Sequence, residues 1–469
     1  MTPSLRLAVV LALVLPYGML SAQESTVRRC NIVLLKSDRE SVRDVPVAGN
    51  ENLFAGGNVE IRCAQQEIFI GADSVASFNR DVIQFMTRAY FRDEEVDITA
   101  DTLLYTRMDE RVQARSNVVA VNRLNGTTVT GPWLDHYRAA PGIRDSSETN
   151  ARDRPKLTHA VARAPGDTVD PSPYVIDADR LVARGSSLME AFGEVVITRD
   201  SLRGTGDSAV YRTGENRSAT LRGGQAMLVR SGPDSFAVTG NEVELGFDEV
   251  ADELDAVSAW GDGRVTNGTA DVVGDSVSLA LTDGKLTRTL AWDRRRLARV
   301  LAQGYDIRGD SIAIDTPGEQ LREMRVFANG VVRSPETDSM AVERDSTARQ
   351  SADQPIRDQM TGDRITARFI DADSAGVRQT QLLEMIAIGH ATSLTSREVE
   401  REGQMEPTIN YTRADTIIVK MKTGVAPGVD EVQAFRGQEP VDGIQLERAR
   451  PGGTTLPRLP GAARPAGRP

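Results

Sequence analysis

Residues 96–121, VDITADTLLYTRMDERVQARSNVVAV, contain the two short patterns that predict the fold of this chain. The first is a small residue followed by Asp, Ala100-Asp101, with apolar residues at Leu103 and Tyr105. The second is Ser116-Asn117-Val118, which lies on the next apolar stretch. Apolar residues at alternate positions are typical of a strand with one buried face. The segment therefore predicts two consecutive β-strands.

The first pattern occurs nine times, and its copies define a repeat of about 30 residues that loops lengthen in places. Repeats of this kind bury their apolar faces only by stacking on their neighbours. The sequence thus predicts an all-β, elongated, solenoid-like fold of stacked antiparallel strands. The Asp or Asn residues of the nine copies are Asp73, Asp101, Asp179, Asp207, Asn241, Asp275, Asp310, Asp363 and Asp415.

These nine residues are predicted to be structural corners. Apolar residues change parity across the motif, as Ile98 and Leu103 do around Asp101. One face can remain apolar through the motif only if the backbone bulges or bends there. Asp and Asn can bond local amides at such a bend. A catalytic carboxylate pair needs unlike environments, whereas these residues occupy one equivalent position, and Asn241 does not titrate.

The second pattern recurs between the corners. Its other clear copies are Gly57-Asn58-Val59, Gly193-Glu194-Val195, Gly263-Arg264-Val265 and Gly330-Val331-Val332. Residues 291–303 could form a helix, but their place in the repeat favours a strand.

The N-terminus indicates export. Arg6 precedes an apolar run from Leu7 to Leu20, which ends in small residues at Ser21-Ala22. This pattern predicts a signal peptide over residues 1–22 and a periplasmic location. In that oxidising compartment Cys30 and Cys63 could form a disulfide, although two buried thiols are the alternative.

Segments without alternation divide the remaining chain. Residues 138–173 and 333–361 are polar and are interpreted as insertions or linkers, and the Pro- and Arg-rich residues 448–469 as a disordered tail. The expected β modules are residues 23–137, 174–332 and 362–447.

Composition excludes several classes of function. A net charge of −11 argues against nucleic acid as a partner. Two Cys and three His leave little for a metal site, and no cofactor motif occurs. His136, His159 and His390 are each interpreted as single histidines without a catalytic role.

The motifs resemble those of the organic-solvent-tolerance (OstA-like) family, which acts in lipopolysaccharide transport. The resemblance rests on residues 56–61, 98–105 and 206–211 and extends over about residues 50–440. It implies an open β-jellyroll, a V-shaped trough that shields the acyl chains of lipid A. It also implies a protein that is not an enzyme. Its expected partners are lipopolysaccharide, other transport components joined through sheet edges, and further copies of the chain bound head to tail.

Strand parity and this resemblance together predict which residues line the trough. They are Val59, Ile61, Ile98, Leu103, Tyr105, Val118, Val195, Ile197, Ala209, Tyr211, Val277 and Leu279. The competing hypothesis is an exported β-solenoid with a closed, dry core that serves as a structural or adhesive scaffold. A polysaccharide-cleaving β-helix enzyme is a third hypothesis, and the sequence shows no cluster of unlike carboxylates to support it.

Overall fold

A computed structural model describes residues 30–44, 51–64, 66–79, 81–161, 168, 170–213, 217–232, 235–248, 253–268, 270–334, 358–374, 377–401, 404–423, 428–437 and 440–447. Within these ranges the chain forms 28 strands in one antiparallel sheet, with one 3-10 turn at Pro317–Glu319. The predicted all-β, elongated fold of stacked antiparallel strands is confirmed.

The strands are numbered in chain order. The first fourteen are β1 (Ile32–Lys36), β2 (Arg39–Asp44), β3 (Glu51–Cys63), β4 (Phe69–Phe78), β5 (Val82–Arg92), β6 (Val96–Thr106), β7 (Arg111–Asn122), β8 (Thr128–Tyr137), β9 (Glu148–Arg152), β10 (Lys156–His159), β11 (Tyr174–Asp177), β12 (Arg180–Arg184), β13 (Leu188–Arg199) and β14 (Leu202–Arg212). The others are β15 (Ser218–Arg230), β16 (Phe236–Phe247), β17 (Leu254–Asn267), β18 (Ala270–Thr282), β19 (Lys285–Trp292), β20 (Ala298–Ala302), β21 (Tyr305–Gly309), β22 (Ser311–Asp315), β23 (Glu323–Arg333), β24 (Gln359–Ser374), β25 (Val377–Arg401), β26 (Gln404–Lys422), β27 (Gly428–Phe435) and β28 (Asp442–Glu447).

Each long strand bends once and so contributes to two walls. In β6 the pairing with β7 shifts register between Thr99 and Thr102, opposite a shift between Arg115 and Val118. We call the side of the bend that contains residues 102–106 and 111–115 the first wall. The side that contains residues 96–99 and 118–121 is the second wall. The bends of successive strands align along one edge, which we call the corner edge.

The inner faces of the two walls contact each other. Phe91 of the second wall lies 6.1 Å, between ring centroids, from His136 of the first. A Cβ added at Gly204 of the second wall would meet the Leu221 side chain of the first at 2.9 Å. The apolar core therefore lies between the walls, and the hairpin turns of both walls meet at the opposite edge, which we call the turn edge.

The corner edge is built from Asp residues and left-handed backbone pairs on neighbouring strands. Ser116 and Asn117 both have positive φ, and Asn117 Nδ2 donates to Asp101 Oδ2 at 2.9 Å. Asn329 donates to Asp310 at 3.0 Å in the same way. The nine predicted corner residues all lie at a register shift or at a break between strands.

Two copies of the second pattern are displaced by two residues from the bends. The left-handed pairs lie at Gly261-Asp262 and Ala328-Asn329, not at Gly263-Arg264 and Gly330-Val331. A further pair, Thr87-Arg88, contains no Gly. Two of these pairs bond a neighbouring Asp: Arg88 donates to Asp73 at 2.6 Å and Asn329 donates to Asp310. A Gly at the first position of the second pattern therefore does not identify every bend.

The interpretation of residues 138–173 as a linker is wrong for residues 148–159. β9 pairs with β8 and β12, while β10 pairs with β8 and β11, so both walls continue through this segment. Ala151 and Leu157 supply the buried positions. The alternation of apolar and polar residues in β9 and β10 is too short to stand out from the polar sequence around these strands.

The remaining expectations have mixed outcomes. Residues 291–303 contain the end of β19 and all of β20, so the preference for strand is confirmed. Residues 1–22, 335–357 and 448–469 lie outside the described residues. In the part of the chain that is described, no helix is long and apolar enough to cross a bilayer.

Replacing Gly193 tests the corner. Gly193 has φ +76°, and an added Cβ would overlap the Asp179 carboxylate. We expect Gly193→Ala to lower the free energy of unfolding by about 2–3 kcal/mol, because it combines a left-handed Ala with this overlap.

The matched control is Gly185→Ala in a hairpin turn. Gly185 has φ +55° and no heavy atom within 4 Å of an added Cβ. Gly185→Ala should lower the free energy of unfolding by only about 1 kcal/mol, which is the penalty for a left-handed Ala. Equal losses in denaturant titrations of the two variants would contradict the role of Asp179.

Candidate functional site

The inner faces of the walls meet along most of their length. Val59, Ile61, Ile98, Leu103, Tyr105, Val118, Val195, Ala209, Val277 and Leu279, ten of the twelve predicted lining residues, are each 5% exposed or less. Ile197 and Tyr211 are only half-buried. The twelve side chains thus pack in the core, and the two that are partly accessible lie in the middle of the chain.

A cavity of about 50 Å³ lies at this place, between β8 and β16. Five alanines line it, and their small side chains leave the space unfilled. They are Ala151, Ala183, Ala191, Ala209 and Ala219. Larger apolar side chains, among them Leu157, Ile176 and Leu245, complete the lining. We call this space the central cavity.

Aromatic rings close the central cavity at the turn edge. Tyr174 of the second wall lies 5.6 Å from Phe247 of the first, and His159 of the second wall lies 5.6 Å from Tyr211 of the first. Tyr211 and Phe247 are 6.3 Å apart along the first wall. We call these four rings the aromatic seam. Edge-on ring pairs at this separation attract each other by about 0.5–1.5 kcal/mol beyond their area burial.

Polar partners hold two of these rings within their own wall. Arg199 Nη1 donates to the Tyr174 hydroxyl at 2.9 Å, and its guanidinium stacks 4.7 Å from the same ring. Thr127 Oγ1 lies 2.8 Å from His159 Nδ1. Both partners belong to the second wall, as do the rings that they contact.

The N-terminal section, β1–β8, is closed at its turn edge by charged groups. Glu110, in a hairpin turn of the first wall, is fully buried. Arg138 Nη1 donates to Glu110 at 2.9 Å, and Arg138 Nε donates to Asp93 at 3.0 Å. Asp93 lies in a hairpin turn of the second wall. We call this arrangement the ionic latch, because Arg138 joins the turns of both walls.

Further bonds saturate Glu110. The Tyr105 hydroxyl donates to Glu110 Oε2 at 2.7 Å, and the Cys30 backbone N–H donates to Oε1 at 3.1 Å. Burial and the Glu110 carboxylate raise the pKa of Tyr105. Cys30 is linked to Cys63 by a disulfide, with 5.1 Å between their Cα atoms. Of the two states considered for these cysteines, the structure has the disulfide, which anchors Cys30 to the second wall beside the latch.

His136 lies beneath the latch and is 2% exposed. Its Nδ1 contacts Thr149 Oγ1 at 2.9 Å. Burial, with smaller contributions from Arg138 and Arg144, lowers the pKa of His136 to about 4. The imidazole is therefore neutral at neutral pH. His390, in contrast, is exposed at the corner edge, where its Nδ1 lies 2.9 Å from Asp363.

Sequence reasoning missed the latch and the seam. Glu110 lies in a turn, and Arg138 and His159 lie in the segment taken for a linker. The alternation of apolar residues in the sequence places the alanines of the central cavity on inner faces. It does not indicate how far apart the two walls lie.

The lining of the central cavity contains few ionisable groups. No group of three His, Cys, Asp or Glu that could hold a metal ion occurs among the described residues. Glu190, the one carboxylate at the cavity, pairs with Arg184 at 2.9 Å. No protein-family model and no curated protein sequence matches this chain.

Glu110→Gln tests the latch. The change removes the charge that Arg138 neutralises in a buried site, so we expect the free energy of unfolding to fall by about 3 kcal/mol. Denaturant unfolding measures this loss.

Glu242→Gln is the matched control, because Glu242 pairs with Arg222 at 2.8 Å where both side chains are at least one-third exposed. It should cost less than about 1 kcal/mol. A loss for Glu110→Gln as small as that of the control would show that the buried Glu110 carboxylate does not stabilise the latch.

Proposed function

We propose that this chain is an exported lipid-binding protein of lipopolysaccharide transport. Its β-jellyroll binds the acyl chains of lipopolysaccharide between the two walls and helps to deliver the lipid to the outer membrane. The observation that carries the proposal is the central cavity, an almost wholly apolar space between two hydrogen-bonded walls. We propose binding without catalysis, because the lining lacks two carboxylates in unlike environments.

The chemistry of the cavity supports an acyl chain as the ligand. The walls pair their backbone groups with neighbouring strands, so the interior offers few polar partners to a peptide or a sugar. Each methylene transferred from water into such an interior contributes about 0.8 kcal/mol. Since lipopolysaccharide and this chain, with its net charge of −11, are both anionic, this burial must supply the affinity.

The present cavity is too small for a whole chain. An apolar cavity of roughly 150 Å³ holds a guest the size of benzene, whereas the central cavity measures about 50 Å³. Binding therefore requires the walls to part. The half-buried Ile197 and Tyr211, both in the lining of the cavity, mark where we propose that the walls part.

The ends of the sheet support the proposed partners. In the described residues β1 and β2 pair only with β3, while β27 and β28 pair only with β26. Leu35 and Ile444, on these outermost strands, are more than half exposed. Such edges can add a strand of another transport component or of a second copy of the chain. We propose the periplasm as the location on the basis of the N-terminal pattern.

The second candidate function is the closed-core scaffold. It is favoured by the burial of Ile98, Leu103 and Val277, which are each 1% exposed or less. In that case the central cavity is a packing defect and never admits a ligand.

A photo-crosslinking residue at Ile197 distinguishes the two functions. With lipopolysaccharide present, we expect illumination to give a covalent lipid adduct at Ile197. Val119, which is 38% exposed on the outer face of the second wall, is the control position and should give none. Adducts at neither position, or equal adducts at both, would contradict the proposed function.

A further inference from the structure

We propose that the outer face of the first wall, from β17 to β27, is a membrane-contact surface that binds the interfacial layer of a phospholipid bilayer. The inference goes beyond the proposed function and does not depend on the central cavity. It rests on a row of apolar side chains that lies beside the bends of successive strands.

On this face a large apolar residue occupies the position next to the bend on alternate strands of the wall. Directly paired residues place five of them in one row, with Ser, Thr or Arg on the strands between. They are Trp260, Trp292, Phe327, Ile388 and Phe435, and we call them the outer stripe. Phe327, Ile388 and Phe435 are each more than one-third exposed, and the two Trp are partly exposed.

The bend itself does not require large apolar residues at this position. In the N-terminal half the corresponding residues of the same row are Gly56, Met86, Arg115, Arg152, Phe192 and Arg222. Each of them directly precedes a left-handed backbone pair, as Trp260 does before Gly261-Asp262. Since Gly and Arg are accepted there, the outer stripe has a cause other than the architecture of the bend.

A neighbouring row widens the apolar surface. Leu290, Ile386 and Ile418 each lie two residues farther from the bend on their strands, so they are on the same outer face. From β17 to β27 the described residues of the two rows include no Asp or Glu, although the chain has a net charge of −11. Their charged residues are Arg325 and Arg364. This face can therefore approach an anionic surface that the net charge of the chain would repel.

Paired charges border the apolar surface on both sides. On the side of the corner edge, Asp262 pairs with Arg296 at 2.9 Å. On the side of the turn edge, the carboxylates of the next row also pair with cations. Among them are Asp315 with Arg288 at 3.3 Å, Glu384 with Arg368 at 2.7 Å, and Glu431 with Lys420 at 3.0 Å.

Composition and area favour a bilayer as the partner. Trp, Phe, Leu and Arg are typical of surfaces that lie in the membrane interface. At the usual spacing of strands and residues the two rows cover roughly 500 Å². A stable protein–protein interface buries about 800 Å² on each partner, so this surface is too small for a stable complex with another protein or a second copy. Interfacial membrane binding is reversible and strengthens with each apolar side chain that is buried.

Tryptophan fluorescence tests the contact, because the chain has three Trp and two of them belong to the outer stripe. We would replace two Trp by Phe in each variant, so that one variant keeps only Trp292 and the other only Trp133. The probe is a vesicle of phosphatidylglycerol and brominated phosphatidylcholine, whose bromine quenches a Trp that enters the bilayer. We expect the variant with Trp292 to lose about half of its emission.

Trp133 is the matched control for this measurement. The guanidinium groups of Arg115 and Arg152, from the two neighbouring strands, lie 3.9 and 4.1 Å from its ring centroid. The ring is therefore covered by charged groups, and its emission should change little.

Vesicle sedimentation tests the exposed members of the outer stripe. We expect Phe327→Ser/Ile388→Ser to lower the partition coefficient onto phosphatidylglycerol vesicles about tenfold, because two exposed apolar side chains are lost. The control is Val273→Ser/Leu301→Ser on the outer face of the second wall, where the two residues are 38% and 37% exposed. Its partition coefficient should stay within about twofold of the wild type.

Failure of the wild type to sediment with vesicles, equal quenching of Trp133 and Trp292, or equal losses in the two double variants would overturn the inference. So would a dimer in analytical ultracentrifugation that Phe327→Ser/Ile388→Ser abolishes, because the outer stripe would then join two copies of the chain. None of these results bears on lipid capture at Ile197, so the proposed function stands or fails separately.

Discussion

The structure depends on one interaction, in which an Asp or Asn at the bend of one strand contacts a left-handed backbone pair on the next. Asp101 with Asn117 and Asp310 with Asn329 show it with direct hydrogen bonds. A sheet of long antiparallel strands would otherwise leave one apolar face in water. Because each long strand bends at this contact, the sheet folds onto itself and the apolar residues of its two walls face each other. Core, cavity and seam all follow from that bend.

Much of this bend could be predicted from the sequence, because its determinants are local. The parity change from Ile98 to Leu103 requires a bulge, and the small residue before Asp101 permits it. The left-handed partner is harder to predict. Thr87-Arg88 takes this conformation without Gly because Asp73 bonds Arg88 across the strand pair, and that neighbour is not adjacent in sequence.

The candidate site could be predicted only in part. Alternation places Val195, Ile197 and Ala209 on an inner face, yet it carries no information on the separation of the two walls. That separation depends on side chains that reach across the core, such as Leu221, which packs against the backbone of Gly204. The ionic latch depends on Glu110 and Arg138, two residues from turns, where no periodicity exists. Tertiary contacts of this kind have no signal in one sequence.

The turn edge is closed by contacts of different kinds in two places. At the N-terminal section Arg138 of the first wall pairs with Asp93 of the second, whereas at the centre Tyr174 contacts Phe247 beside a small apolar cavity. Binding sites are commonly drawn from the less stable parts of a structure. The proposed function requires one region that opens and another that preserves the alignment of the walls.

The most direct test of this account is a crystal structure of the protein grown with a long-chain fatty acid brominated at its far end. The bromine gives an anomalous peak that locates the chain terminus. The account predicts a peak between the walls near Ala191 and Leu245, with Tyr174 and Phe247 farther apart than 5.6 Å. A peak found only on the outer faces, or at saturating fatty acid no peak and an unchanged cavity, would contradict it.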